Sequence, residues 1–252
     1  MKLPLGPSLG TSLATSLAAS LAPSLATRST QPELMDQGLD AALQARVLAD
    51  LAAVNRWTLT HRPVLQFLRQ GWARVPPGQT LTVLDVGCGQ GDLLRAVWQL
   101  GARQQRGLRL IGLDLQPHST AAARQATPAA MGIEFVTGDL FAYLPHEVDY
   151  IVSSQLAHHL DDVQLVSFLY WLQAHARRGW CIADLRRHWL PYLGYPWLAR
   201  AARWHRIVRI DGTRSIARAC TLDEWRTLLQ RAGVAATLRR RLPFRLTVAS
   251  LH

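Results

Sequence analysis

The chain is short of cysteine, of lysine and of long apolar runs, and each shortage closes off a class of protein. Its three cysteines, Cys88, Cys181 and Cys220, stand far apart without metal-ligand spacing, so neither a disulfide framework nor a zinc site is expected. A reducing cytoplasm is then the expected compartment. No stretch approaches the ~18 uninterrupted apolar residues of a membrane-crossing helix. Lysine occurs once, at Lys2, so the formal net charge of +11 is carried by arginine. The charge is unevenly spread: residues 1–176 hold 12 basic and 13 acidic side chains, residues 177–252 hold 16 and 4.

Acids are also missing from Met1 to Thr30, where Ser-Leu recurs every four residues among alanine, threonine and proline. Such low complexity reads as a disordered tail over 1–31. A secretory signal is the weaker reading, because serine or threonine interrupts its apolar residues every few positions. From Pro32 the pattern turns helical. Leu39, Leu43, Val47, Leu48, Leu51 and Val54 make one apolar face, and a second helix runs from about Arg62 to Trp72. Pro76-Pro77-Gly78 closes this helical cap, residues 32–78, and leads into a main domain over 79–252.

That domain is organised around Val83-Leu84-Asp85-Val86-Gly87-Cys88-Gly89-Gln90-Gly91-Asp92. An apolar run ending in an acid, three glycines on alternate positions and an amphipathic run read as a buried strand, a tight turn and a helix start. Three glycines in five positions leave room for a ligand against the backbone. The spacing is not the Gly-x-Gly-x-x-Gly of dinucleotide sites, and the lysine of a phosphate loop is absent. A diphosphate here would meet Asp85 and Asp92 at close range, which is electrostatically unfavourable.

The pattern Asp-x-Gly-x-Gly-x-Gly from Asp85 to Gly91 resembles the first motif of class I S-adenosylmethionine-dependent methyltransferases. Two further strand-ending acids follow in order, Asp114 after Leu108–Leu113 and Asp139 after Ile133–Thr137. A carboxylate at the second strand's end suits ribose hydroxyls, and the resemblance implies that Asp139 lies beside the adenine amine. With it come the expected S-adenosylmethionine contacts Asp85, Gly87, Cys88, Gly89, Gly91, Asp114, Leu115, Asp139, Leu140 and Ser154. The implied fold is a doubly wound, mostly parallel α/β sheet of seven strands, with N-terminal helices and a lid insertion, residues 186–220, before the last strands.

The fourth strand, Val148–Ser154, leads into Gln155-Leu156-Ala157-His158-His159-Leu160-Asp161. Asp161 with Gln164 forms a capping box, which starts a helix and leaves both histidines in the preceding loop. Ligands of open α/β sheets bind beyond the carboxyl ends of the strands, so Gln155 and the histidines face the reacting methyl. His159 is the expected general base, and at most one of it and His158 serves; His188 and His205 are the alternatives. The resemblance implies that the N-terminal helices wall the acceptor pocket, so Arg56 or Arg62 can reach a ligand carboxylate.

The insertion is rich in arginine and aromatic residues. As a lid it offers Tyr192 and Tyr195 to a flat acceptor, with Arg214 or Ser215 at the pocket mouth on a turn, Asp211-Gly212-Thr213-Arg214-Ser215. As a membrane-surface element it offers the stripe Trp197, Ala201, Trp204 and Val208. A nucleic-acid partner is disfavoured, because residues 1–80 are too short and too neutral for a recognition domain. No metal site is expected, the histidine pair having no evident carboxylate partners in the sequence. The expected reaction is O- or C-methylation of a small aromatic or polyketide-like acceptor. A membrane-soluble quinone or lipid phenol is the alternative acceptor, and a non-catalytic cofactor-binding subunit the alternative role.

Overall fold

The structure is a computed structural model that describes residues 25–35 and 38–252. The Ser-Leu repeat, as far as Ser24, lies outside the described residues. Seven strands, β1 (Leu81–Val86), β2 (Leu108–Asp114), β3 (Glu134–Thr137), β4 (Tyr150–Ser154), β5 (Gly179–Leu185), β6 (Thr237–Arg241) and β7 (Arg245–Leu251), form one sheet in the order β3-β2-β1-β4-β5-β7-β6. The first five are parallel, and β7 runs antiparallel to both its neighbours. Eight α-helices occur among the described residues: α1 (Ala41–Trp57), α2 (Arg62–Trp72), α3 (Asp92–Arg103), α4 (Pro117–Ala126), α5 (Asp162–His175), α6 (Trp189–Ala201), α7 (Arg206–Arg218) and α8 (Leu222–Ala232). The doubly wound sheet, the helical cap and the helical insertion are those expected.

Alternate strand residues go to opposite faces, and both faces are covered. Leu84, Ile111, Ile151, Trp180, Ile182, Leu246 and Val248 pack under α5 and α8, with Phe168 and Trp225 at the centre. Val83, Leu110, Tyr150, Val152 and Cys181 face α2 and α3. The capping boxes at Asp161–Gln164 and Thr221–Glu224 are both formed.

Three expectations need correction. Residues 25–31 do not belong to a loose tail: the Arg28 guanidinium donates to the carbonyls of Arg218 and Leu160 and to Asp162 at 2.8 Å each, and Ser29 N–H donates to Ala217. The turn read at Asp211–Ser215 is instead the middle of α7. Its glycine serves packing, since a Cβ on Gly212 would overlap the ring of Tyr195. The stripe through Trp197 and Trp204 is not a surface stripe. Trp197 is exposed, but Trp204 and Val208 are buried with Val47, Val54 and Ala199, which joins the insertion to α1.

Because Gly212 is held open for Tyr195, Gly212→Ala should destabilise the protein by ~1–3 kcal/mol. An ordinary exposed helical glycine would gain up to ~1 kcal/mol from the same change. Urea unfolding of the two proteins gives the sign.

Candidate active site

At the carboxyl edge of the sheet lies a cleft of about 880 Å³, roofed by α1, α6 and α7. The glycine turn forms part of its floor. All three glycines adopt positive φ, at 74°, 53° and 75°, but only one opens to a ligand. A Cβ on Gly87 would press on Leu156 at 3.1 Å and one on Gly91 on Phe135 at 2.7 Å, whereas at Gly89 nothing lies within 4 Å. Gly91 does not line the cleft; it starts α3 and makes room for Phe135. The other expected cofactor residues, Asp85, Gly87, Cys88, Gly89, Asp114, Leu115, Asp139, Leu140 and Ser154, all line it.

These residues present negative charge and unspent polar atoms. Asp85 is buried, its Oδ1 has no partner among the described residues, and burial with the charges of Asp92 and Asp114 pushes its pKa well up. Ser154 Oγ and Gln155 Oε1 are also buried without partners. Asp114 accepts from Gly89 N–H at 2.8 Å and Gln116 N–H at 2.9 Å, and Asp139 accepts from Phe141 N–H at 2.9 Å. Repelling carboxylates around an open glycine form a receptor for a cation carrying hydroxyl or amine donors.

The cap contributes residues that sequence reasoning missed. Asn55 Nδ2 donates to Asp92 at 2.9 Å and His61 Nε2 lies 3.2 Å from it; burial alone would raise the Asp92 pKa, but these partners hold it down. Gln90 Nε2 donates to the Leu48 carbonyl at 2.8 Å. These contacts pin α1 over the glycine turn. Arg56 and Arg62, by contrast, are exposed and do not line the cleft, because their helices turn the Asn55 and His61 side of the connection inward.

The two histidines sit on a 3-10 turn, Ala157–His159, and separate into different environments. His158 is buried. Its N–H and Nδ1 bind the two oxygens of Asp184 at 2.9 and 2.8 Å, and its Nε2 lies 3.5 Å from Glu33. Burial would lower its pKa, but the two carboxylates raise it to about 10. Burial would likewise raise Glu33, yet its hydrogen bond to His158, the charges of both histidines and the Ser215 hydroxyl, donating at 2.6 Å, bring it down to about 2. His159 is half-buried and lines the cleft, with Nε2 3.9 Å from Glu33. Arg218 fixes the turn by donating to the carbonyls of His158 and His159 at 2.9 and 3.0 Å.

This corrects the view that the histidines lack carboxylate partners. Asp184 is the penultimate residue of β5, and Glu33 arrives from a strap held by Asp211, which accepts from the N–H groups of Leu34 and Met35 at 2.8 and 3.0 Å. Glu33, His158 and His159 offer ligand atoms within 4.8 Å of one another, a spacing that can take a metal ion. A proton-mediated network already engages them.

Of the expected acceptor residues, Gln155 and Tyr195 line the cleft, but Tyr195 spends its hydroxyl on the Val208 carbonyl at 3.0 Å. Tyr192 and Arg214 do not line it; Arg214 donates to the Pro32 carbonyl at 2.8 Å and so serves the strap. His188 and His205, the alternative bases, are helix caps whose side chains accept from Leu190 and Ile207 N–H. Both lie outside the cleft.

With this geometry in view, the comparisons with known proteins agree with one another. A family described as a methyltransferase domain matches residues 83–179. Over this stretch the chain is similar to methyltransferase domains. It is 32% identical over 169 residues to phenazine O-methyltransferase PhzM of Lysobacter antibioticus, covering 64% of this chain and 45% of that protein, so it spans about half the length of this relative. Human N-acetylserotonin methyltransferase, solved with S-adenosylmethionine, superposes over 94% of this chain and 67% of its own at a TM-score of 0.61 and 15% identity. The plantazolicin methyltransferase BamL, solved with S-adenosylhomocysteine, superposes over 90% of this chain and 80% of its own at 0.60 and 16%. At such identities the superpositions speak for the fold alone.

Because His158 is raised to about 10 from 6.5, its contribution to stability is complete below about pH 6.5 and drains away as pH rises toward 10. Glu33, lowered from 4.5 to about 2, contributes above about pH 4.5 and ceases to as pH falls toward 2. Thermal melts across this range should show a plateau between the two limbs. His158→Gln should flatten the alkaline limb; an unchanged limb would show that another group produces it.

Proposed function

We propose that this protein transfers a methyl group from S-adenosylmethionine to an oxygen or carbon nucleophile of a small, flat aromatic or polyketide-like acceptor. The observation that carries the reading is the division of one cleft into two chemistries. Asp85, Gly89, Asp92, Asp114 and Asp139 line it around the glycine turn and the ends of β2 and β3; Leu190, Leu198, Val208 and Ile216 line it from the insertion helices α6 and α7. Its volume of about 880 Å³ lies toward the upper end of ligand pockets and suits two ligands together.

The cofactor, when bound, supplies a methyl on a good leaving group. The residues around Gly89 would hold it: Asp114 at the ribose hydroxyls, Asp139 at the adenine side, and Ser154 and Gln155 with their unspent oxygens toward the methionine end. The protein's largest contribution is alignment in a site roofed from water, worth ~7–11 kcal/mol in well-oriented systems. His159 accepts the acceptor's proton. Glu33, ionised and 3.9 Å away, stabilises the resulting imidazolium. His158 does not share this role: buried and held protonated by Asp184 and Glu33, it positions Glu33.

That a phenazine O-methyltransferase is a relative supports the flat aromatic acceptor. No described helix is long and apolar enough to cross a membrane, and Trp204 and Val208 of the stripe read as a membrane-surface element are buried, while Trp197 is exposed.

Calorimetry with S-adenosylhomocysteine should show binding that Asp114→Ala weakens by about tenfold to a hundredfold. His159→Ala should keep that affinity and lose roughly 10²–10⁴-fold in turnover on an accepted phenol, and full turnover would remove His159 from the chemistry. Exhaustive chelation should leave turnover intact. Loss that a divalent ion restores would instead make Glu33, His158 and His159 a metal site.

A further inference from the structure

Arg245 opens β7, and because β7 runs against β5 its first residue lies beside Leu185, at the same carboxyl edge as the cleft. It is 2% exposed and lines the cleft. Its Nη2 donates to Thr58 and Thr60 hydroxyls at 2.7 and 2.6 Å, while Nε and Nη1, which carry three of its five N–H donors, are buried without a partner.

This arginine differs from the other well-covered ones. Arg187 spends its donors on the Leu25 and Ala219 carbonyls and on Glu224; Arg218 spends its on the carbonyls of Gln31, His158 and His159. No carboxylate forms an ion pair with Arg245 among the described residues, and burial, against the pull of Asp184, lowers its pKa to about 10. A buried, incompletely bonded cation is costly, and an anion at Nε and Nη1 would remove that cost. Arg186, whose guanidinium stands 5.9 Å over the Phe244 ring, adds a second cation to the same wall. The acids that line the cleft, at the glycine turn, the ends of β2 and β3, the strap and α7, form no ion pair with Arg245 among the described residues.

We propose that Arg245 is the anion subsite of the acceptor pocket and that the acceptor is a flat ring system bearing a carboxylate. This rests on the methyl-transfer reading for the site's purpose, but the recognition itself is read by binding alone. The ring lies along the apolar lining and the carboxylate takes Nε and Nη1 of Arg245, with Thr58 and Thr60 holding the guanidinium from behind.

The test is a calorimetric titration of the full chain with 1-naphthoate and 9-anthroate against the matching carboxamides, with and without saturating S-adenosylhomocysteine. The acids should bind about tenfold to a hundredfold more tightly than the amides. Arg245→Met should abolish that preference, Arg245→Lys should retain part of it, and the affinity for S-adenosylhomocysteine should be unchanged in both. Equal binding of acids and amides to the unaltered protein would overturn the proposal without any variant, as would a preference that survives Arg245→Met. Collapse of S-adenosylhomocysteine affinity in Arg245→Met would overturn it too, by giving the subsite to the cofactor's own carboxylate. Failure of S-adenosylhomocysteine to bind the unaltered protein would sink the methyl-transfer reading while the acid and amide titrations still decided this one.

Discussion

The buried chain of charge Asp184–His158–Glu33 is the constraint on which the rest of the site depends. It joins the end of β5, the turn after β4 and the N-terminal strap in three contacts, all shielded from water. Breaking one member would strand the others as unpaired buried charges, a large penalty. Four residues of α7 hold Glu33 in place: Asp211, Arg214 and Arg218 grip the strap on either side of it, and Ser215 bonds it directly. The strap, the insertion and the histidine turn therefore stand or fall together, and His159 takes its place in the cleft from that assembly.

The uneven charge of the chain acquires a physical meaning in this light. Several arginines of the basic last third are consumed inside the molecule: Arg187 and Arg218 bond backbone carbonyls of the N-terminal segment, and Arg214 does the same at Pro32. Guanidinium suits this use because its planar fork serves several carbonyls at once, which lysine does not match. What looks like an excess of surface charge is in part an internal framework. In the cleft, Asp85, Asp92 and Asp114 cluster around the glycine turn, while Arg186 and Arg245 stand at the β5–β7 edge.

The central fold was legible because local rules govern it. Val83 to Asp92 combines a buried strand with glycines whose positive φ only a tight turn needs, and the capping boxes at Asp161 and Thr221 mark helix starts by residue identity. Contacts between distant segments were not legible. Glu33 sits in a stretch without periodicity, and nothing nearby announces that it meets His158, 125 positions away. Asp211-Gly212 has turn chemistry, yet Tyr195 requires the glycine for packing and α7 runs through it. Arg56 drew attention by its charge, whereas its neighbour Asn55 makes the contact. The partner of Asp184, His158, comes within reach only through the turn after β4.

The most direct measurement is nitrogen NMR of the imidazoles in protein labelled at histidine, followed from neutral into mildly alkaline buffer. One histidine, assigned as His158 by its loss in His158→Gln, should show both ring nitrogens protonated throughout, as expected of an imidazolium held between Asp184 and Glu33 with a pKa of about 10. A neutral tautomer for that residue at neutral pH would contradict the account, leaving Glu33 without its counter-charge and His159 without the arrangement assigned to it.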